Sequence, residues 1–332
     1  MYSVYKKIAM DFIADNKDIL KQLSNKHFAV TGANGLIGTK IIELLVLLNE
    51  TYGFNVNIIP VTRSKSLVHG IESIELSDLY NTEFDYIVHC ASPTSSELFL
   101  KKPVDVIEQT FAMNKLCFES MQKFEARGVM LSSVEVYGDV NKSYTVNEND
   151  FGEIDYQKLR SSYPIAKRLL EFLIKANVYQ NNINVSGVRL TQTFGEGVKP
   201  GDARVFAYCA ESVLNNKNII LATTGALKRS YLDVLDAAIA IILVLLKGQA
   251  GEIYNVSNPN NFMSILELAT KIIGNRDLKV EVQLDKRMAA KFSYPVGINM
   301  SIDKIGMLGW RPKVEFQETI DALFYSLKNY KK

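Results

Sequence analysis

The sequence predicts an α/β protein built on a doubly wound parallel sheet, and three observations carry that prediction. Short apolar runs alternate with helix-period segments, as in a parallel sheet covered on both faces. A glycine-spaced turn, Gly32-Ala33-Asn34-Gly35-Leu36-Ile37-Gly38, joins the first run to the first helical segment. A serine pair, Ser132-Ser133, ends a later run, and thirty residues after Ser133 comes Tyr163, with Lys167 four residues further on.

The segment up to Lys26 mixes Lys6, Lys7, Asp11, Asp15 and Asp18 with Val4, Ile8, Phe12 and Leu20. It reads as an amphipathic helix, because a signal peptide would have an uninterrupted apolar centre. Strands follow at His27 to Thr31, Val56 to Thr62, Tyr86 to Cys90, Gly128 to Ser132 and Asn184 to Leu190. A helix occupies Leu36 to Leu48. The aliphatic run Ala237 to Leu246 is too short to cross a bilayer, which takes roughly 20 residues, and reads as a helix buried against the sheet. The polar stretches Asp139 to Asp155 and Gly195 to Asp202 lie after strand ends, where ligands bind in open α/β sheets.

Bulk properties narrow the function. With 332 residues, 47% hydrophobic and 22% charged, the chain can bury one large or two fused cores. The net charge of +2 comes with no basic stripe interleaved with aromatics, which argues against nucleic acid as a partner. Cys90, Cys117 and Cys209 are widely spaced in apolar runs and read as buried thiols of a reducing, cytoplasmic compartment. His27, His69 and His89 lack metal-ligand spacing, so no metal is expected. No membrane association is expected either.

In the glycine turn, Gly32 lets the chain leave the strand in a conformation closed to side chains. Gly35 lets the backbone approach a pyrophosphate, and Gly38 lets the helix lie close on the sheet. The phosphates would meet the free N–H groups at the helix start. By itself such a triplet serves any tight strand-to-helix turn. Tyr163 and Lys167, one helical turn apart, share a face. An ammonium beneath the phenol would favour its ionised form, which a tyrosine exchanging a proton near neutral pH needs, since its ordinary pKa is about 10.

With these motifs the chain resembles the extended short-chain dehydrogenase/reductase family, of the nucleotide-sugar epimerase/dehydratase type. The same resemblance is carried by His89-Cys90-Ala91-Ser92, Val188-Arg189-Leu190-Thr191-Gln192-Thr193-Phe194-Gly195, Lys228-Arg229-Ser230-Tyr231, Tyr254-Asn255-Val256 and Leu308-Gly309-Trp310-Arg311-Pro312. It spans nearly the whole chain and extends to capsule-cluster members of the family. The resemblance implies a Rossmann-type domain over 27–190 plus 230–256 and a smaller α/β C-terminal substrate domain over 191–229 plus 257–332, with residues 1–26 as an N-terminal helix. It implies cofactor contacts from Gly32, Asn34, Gly35, Leu36, Ile37, Gly38, Arg63, Ser64, Asp78, Leu79, Ala91, Ser92, Tyr163 and Lys167. Catalysis falls to Tyr163, Lys167, Ser133 and Glu135, and substrate binding to Thr94, Ser133, Gln192, Arg204 and Arg229. Gln192 stands where the family often has Asn.

An NAD site usually carries an acid after the second strand to accept from the ribose 2′-hydroxyl, whereas a 2′-phosphate calls for Arg. No acid appears between Asn57 and Lys65, and Thr62 or Arg63 takes that place. NADP(H) is therefore favoured over NAD(H). The expected reaction is NADPH-dependent reduction of the keto group of a nucleotide-activated sugar, such as a CDP-linked ketose or a 4-keto sugar, in surface polysaccharide biosynthesis. The alternative is a redox-neutral 4,6-dehydratase, decarboxylase or epimerase, in which Glu135 joins the chemistry. Val134 stands where some dehydratases carry an acid, which weakens the dehydratase reading. A catalytically silent nucleotide-binding regulator is a third reading, opposed by the intact Ser133, Tyr163 and Lys167. A homodimer is expected through the helices around Val106 to Lys123 and Ser162 to Ala176. Phe111, Met113, Leu116, Phe118 and Met121 on the first, and Leu169, Leu170, Phe172 and Leu173 on the second, exceed what one sheet-facing stripe requires.

Overall fold

The computed structural model describes residues 1–140, 145–285 and 297–330. Residues 141–144 of the predicted polar stretch, and 286–296 and 331–332 of the predicted substrate domain, lie outside the described residues.

Seven parallel strands form the main sheet: β1 (His27–Thr31), β2 (Asn57–Thr62), β5 (Ile74–Glu75), β6 (Tyr86–His89), β7 (Arg127–Ser133), β8 (Val185–Leu190) and β12 (Ile253–Val256). Their spatial order is β12-β8-β7-β6-β1-β2-β5. The chain therefore winds outward from β1 through β2 to β5, crosses back to β6 on the other side of β1, and winds outward again. That reversal opens a crevice above the C-terminal ends of β1 and β6, the usual place for a ligand in such sheets. A two-strand hairpin, β3 (Leu67–Val68) with β4 (Ile71–Glu72), sits between β2 and β5 in the chain.

Strand alternation supplies both faces with apolar side chains. On one face Val30, Val88, Val129 and Val188 pack with α1 (Ser3–Asp15), α3 (Leu36–Tyr52) and α8 (Val234–Lys247). On the other, Ala29, Ile87, Met130 and Val185 meet Cys117, Phe118 and Met121 of α5 (Pro103–Phe124) and Leu170 and Ile174 of α6 (Ser162–Asn181). α8 is buried all round from Val234 to Leu246, as an apolar helix without a polar face must be. The N-terminal segment is not one helix: α1 is followed by a single turn, α2 (Lys17–Leu20), and a 3₁₀ turn over Lys21–Leu23.

A second core is built from β9 (Gln192–Phe194), β11 (Lys228–Asp233) and β13 (Phe262–Ser264), with β10 (Ile219–Leu221) paired to β14 (Val280–Val282). Phe194, Phe206, Tyr231, Leu268 and Leu323 anchor it between α7 (Val205–Leu214), α9 (Ile265–Ile273) and the helix Phe316–Asn329. The predicted boundary at 229/230 falls inside β11, because that strand pairs with both β9 and β13. The stretch around Ile305, Trp310 and Val314, assigned from sequence to the smaller domain, packs on the main core instead. Asp236 at the start of α8 ties it there, accepting from the N–H groups of Lys313 at 2.9 Å and Val314 at 3.0 Å.

The apolar excess on α5 and α6 divides in two. Phe118, Met121 and Leu170 belong to the core beneath the sheet, and Met113, Leu116 and Leu173 are half-buried. Phe111, Leu169 and Phe172 remain exposed, at 44%, 36% and 66%. No helix among the described residues is long and apolar enough to cross a membrane.

Candidate active site

The glycine turn stands at the mouth of the crevice. Gly32 has φ +65°, and a Cβ there would lie 2.9 Å from the backbone nitrogen of Ala91 at the end of β6. Gly35 donates its N–H to the Gly32 carbonyl at 2.8 Å and begins α3 without a side-chain cap. A Cβ on Gly38 would run into the Gly32 carbonyl, so Gly38 seats the helix on the turn rather than on the sheet. The uncapped N–H groups of the first turn and the absence of room for a side chain at Gly32 fit a dinucleotide pyrophosphate laid across this turn. Leu36 and Ile37 are half-buried, and Leu36 touches both cores. Asn34 is exposed; its amide donates to Ser66 Oγ at 3.2 Å and its carbonyl accepts from Lys199 Nζ at 3.3 Å.

After β2, Thr62 turns inward. Its hydroxyl bonds Ser73 Oγ at 2.7 Å and the Ser64 carbonyl at 2.8 Å. Arg63 and Ser64 are exposed, so Arg63 is the outward-facing one of the two residues that the sequence left for the 2′ position. Asp78 is half-buried on the 3₁₀ turn Leu76–Asn81, whereas the Leu79 side chain is fully buried and belongs to the core. Beyond β6, Ala91 and Ser92 are half-buried at the crevice and Thr94 is exposed. His89 is buried with Nδ1 2.7 Å from Thr31 Oγ1; burial and the Lys167 charge hold its pKa down to about 3, so it is neutral. Among the thiols Cys117 and Cys209 are buried, but Cys90 is half-buried, and burial pushes it up to about 12. No cluster of three or more metal-ligating side chains occurs among the described residues.

Ser133 closes β7, and Tyr163 and Lys167 lie on the first turns of α6. The Lys167 ammonium donates to the Leu131 carbonyl at 2.8 Å and sits 5.8 Å from the Tyr163 ring centre. Burial lowers its pKa to about 8. Tyr163 stacks on Phe99 of α4 (Ser96–Lys101), centroids 4.5 Å apart and planes within 12°. Its phenol is not acidified in this arrangement. Burial and the nearby Glu135 charge push it well above its ordinary value, while Ser133 and Arg160 pull the other way. The lowering expected from Lys167 is not among the effects acting on the phenol.

Glu135 lies on the 3₁₀ turn Val134–Tyr137, its N–H donating to Ser133 Oγ at 3.2 Å. Both of its oxygens are held by Arg160, at 2.7 and 2.9 Å. The Arg229 guanidinium, half-buried on β11, is close enough to feel both Glu135 and Arg160. The fold thus gathers Ser133, Glu135, Tyr163, Lys167 and Arg229. Gln192 is half-buried at the start of β9, opposite Tyr231 of β11. Arg204 is engaged elsewhere: it pairs with Asp202 at 2.5 Å, donates to the Thr193 carbonyl at 3.2 Å and is largely exposed. Sequence reasoning missed Arg160 and Phe99. Arg160 stands one helical turn before Tyr163, but its partner lies 25 residues back, and no local pattern announces that pairing.

Residues 28–257, more than half of the chain, match the profile of the NAD dependent epimerase/dehydratase family. The chain is 26% identical over 318 residues to UDP-glucuronic acid decarboxylase 6 of Arabidopsis thaliana, covering 90% of this chain and 88% of that protein. It is 25% identical over 320 residues to dTDP-D-glucose 4,6-dehydratase of Bos taurus, covering 89% and 86%. Among solved structures, the epimerase Mth375 of Methanothermobacter thermautotrophicus superposes with a TM-score of 0.80 at 19% identity, covering 95% of each chain. The Thermus thermophilus UDP-glucose 4-epimerase, solved in complex with NAD, gives 0.76 at 20% identity, covering 91% and 99%. Those structures share the Rossmann-like fold. With the profile match on top of the glycine turn and the Ser-Tyr-Lys constellation, the chain belongs to the NAD dependent epimerase/dehydratase family.

Proposed function

We propose that this protein converts a nucleotide-activated sugar by a redox-neutral route: a ring hydroxyl is oxidised, a group β to the new carbonyl leaves, and the hydride returns to the same molecule. The leaving group is CO₂ from a hexuronic acid or water from a hexose. One observation carries this reading. Beside Ser133, Tyr163 and Lys167 stands a further proton-handling group, Glu135, fixed by Arg160. Simple reduction of a carbonyl needs one proton donor, whereas loss of CO₂ or water requires a second proton to be moved at a neighbouring carbon. The relatives that decarboxylate and dehydrate nucleotide sugars support the same reading over a net reductase.

A bound nicotinamide dinucleotide supplies the hydride acceptor and donor. Tyr163 Oη takes the hydroxyl proton and later restores it, and Ser133 Oγ orients the reacting oxygen. The ammonium of Lys167, with the positive charge that arrives with an oxidised dinucleotide, opposes the burial that holds the phenol protonated. Glu135 moves the second proton. Arg229 grips an anionic part of the substrate at the mouth of the smaller domain, with Gln192 beside it.

For the cofactor, the buried Thr62 and exposed Arg63 favour a 2′-phosphate, so NADP is accepted as well as NAD. The two halves of the molecule divide the work, the main sheet holding the dinucleotide and the smaller core the sugar nucleotide. Phe111, Leu169 and Phe172 are the face through which two copies pair. The experiment is incubation with UDP- and dTDP-linked hexoses and hexuronic acids, followed by mass spectrometry. Loss of CO₂ or water without net change of cofactor supports the reading; stoichiometric consumption of NADPH returns the reductase.

A further inference from the structure

Arg160 moves no proton itself, yet it is built closely around the residues that do. It leaves the 3₁₀ turn Leu159–Ser161, which leads directly into α6, and reaches back to the turn after β7. Its two terminal nitrogens each donate to one carboxylate oxygen of Glu135, at 2.7 and 2.9 Å, in the planar two-point geometry that only Arg provides. The two side chains are 13% and 16% exposed, so water screens the pair little. Its guanidinium carbon lies 5.8 Å from the centre of the Phe99 ring, and Phe99 stacks on Tyr163. Phe99 itself is 2% exposed and packs against both the Arg160 guanidinium and the Tyr163 ring. Two further links join the pair to the tyrosine: Arg160 precedes it by three residues, and the Glu135 N–H holds Ser133 Oγ.

We propose that Arg160 is a positioning residue: it fixes Glu135 in one orientation and cancels the carboxylate charge beside Tyr163, so that the tyrosine can give up its proton while Glu135 stays in place to move the second one. The charges around Tyr163 make the compensation explicit. Glu135 disfavours the tyrosinate and Arg160 favours it. Lys167 lies on the same helix as Tyr163. Arg229 approaches Glu135 and Arg160 from β11. Removing Arg160 exposes Tyr163 to an uncompensated carboxylate, removing Glu135 exposes it to an uncompensated guanidinium, and removing both restores the balance.

This rests on the reading of Tyr163 as the proton-transfer group, so the test uses a readout that needs no substrate. Enzyme carrying ζ-¹³C tyrosine and loaded with oxidised dinucleotide is examined by NMR, the Tyr163 resonance being assigned from Tyr163→Phe. The ionised-to-neutral ratio of Tyr163 at one fixed pH above the ordinary tyrosine range of about 10 is compared in wild type, Arg160→Gln, Glu135→Gln and the double variant. The expected order is Glu135→Gln highest, wild type and double variant together, and Arg160→Gln lowest, with about tenfold in the ionised-to-neutral ratio between neighbours, one pKa unit. Equal ratios in all four proteins overturn the proposal. Arg160→Lys, which keeps the charge but not the two-point geometry, should match wild type in this titration. Where turnover of a nucleotide sugar is measurable, Arg160→Lys should lower kcat with KM nearly unchanged; wild-type kcat there contradicts the positioning role even if the titration follows the expected order. If no nucleotide sugar is turned over while the titration holds, the reaction is misassigned and the positioning role stands.

Discussion

Replacing Gly32 by Ala tests the nucleotide crevice against an internal control, Gly53→Ala. Both glycines have positive φ, +65° and +62°. The left-handed backbone costs an L-residue about 1–2 kcal/mol, and that term is common to both. They differ in space. Nothing lies within 4 Å of a Cβ on Gly53, which ends α3 in solvent, whereas a Cβ on Gly32 would lie 2.9 Å from Ala91 N and 3.1 Å from Ala91 Cα. Comfortable contact needs about 3.5 Å, so the end of β6 has to move from β1 by roughly half an ångström. Such overpacking costs about 1–3 kcal/mol. Gly53→Ala should therefore lose about 1–2 kcal/mol in urea unfolding and Gly32→Ala about 2–5 kcal/mol. The crevice between β1 and β6 is the proposed dinucleotide site, so Gly32→Ala should also weaken cofactor binding by at least about tenfold, the effect of about 1.4 kcal/mol, while Gly53→Ala leaves it alone. Equal stabilities and unchanged cofactor affinity for Gly32→Ala would show that the crowding at Ala91, and with it this placement of the pyrophosphate, is wrong.

Tyr163→Phe should lower turnover by roughly a hundredfold or more while calorimetry shows cofactor affinity close to wild type, since only the proton-transfer group is removed. Arg63→Ala should weaken NADPH by about 2 kcal/mol in direct titration and NADH hardly at all, the difference being the lost charge-assisted bond to the 2′-phosphate. Lys167 binds fewer protons folded, with a pKa of about 8, than unfolded, where about 10.4 is usual. Stability should thus rise with pH from about 8 to about 10, a slope that Lys167→Met removes, while turnover that needs the ammonium falls over the same window. Phe172→Glu, on the exposed face of α6, should yield monomers in light scattering without unfolding the protomer. Leu173→Glu is a poorer probe, because Leu173 is half-buried against the α5–α6 core.

Periodicity located the strands well. The run His27 to Thr31 coincides with β1, and the other four predicted strands overlap β2, β6, β7 and β8 within a residue or so at either end. Those runs are buried on both faces, so composition alone marks them. The glycine turn and the Tyr163–Lys167 spacing were legible because their geometry is local. Domain limits were less so: β11 serves the smaller sheet, and Trp310 buries its indole on the main core with its N–H donated to the Asp236 carbonyl at 3.2 Å. That docking is fixed by tertiary packing and leaves no periodic trace. The same holds in the site. Phe99 reads as an ordinary apolar residue of a six-residue helix, and Arg160 as a solvated charge, until folding brings one onto Tyr163 and the other onto Glu135. The ionisation of Tyr163 shows the limit of motif reasoning most clearly, since the spacing predicts help from Lys167 while burial and Glu135, which spacing cannot weigh, hold the phenol protonated.

In the proposed redox-neutral route the hydride taken from the sugar goes back to the sugar. A nucleotide sugar carrying deuterium at the ring carbon that is oxidised, turned over by purified enzyme with unlabelled dinucleotide, tests it directly. The product should have lost CO₂ or water and retained the deuterium, with the nicotinamide absorbance unchanged after turnover. A product that gains hydrogen from added NADPH with one equivalent of oxidised cofactor released, or deuterium found on free reduced cofactor, would contradict it.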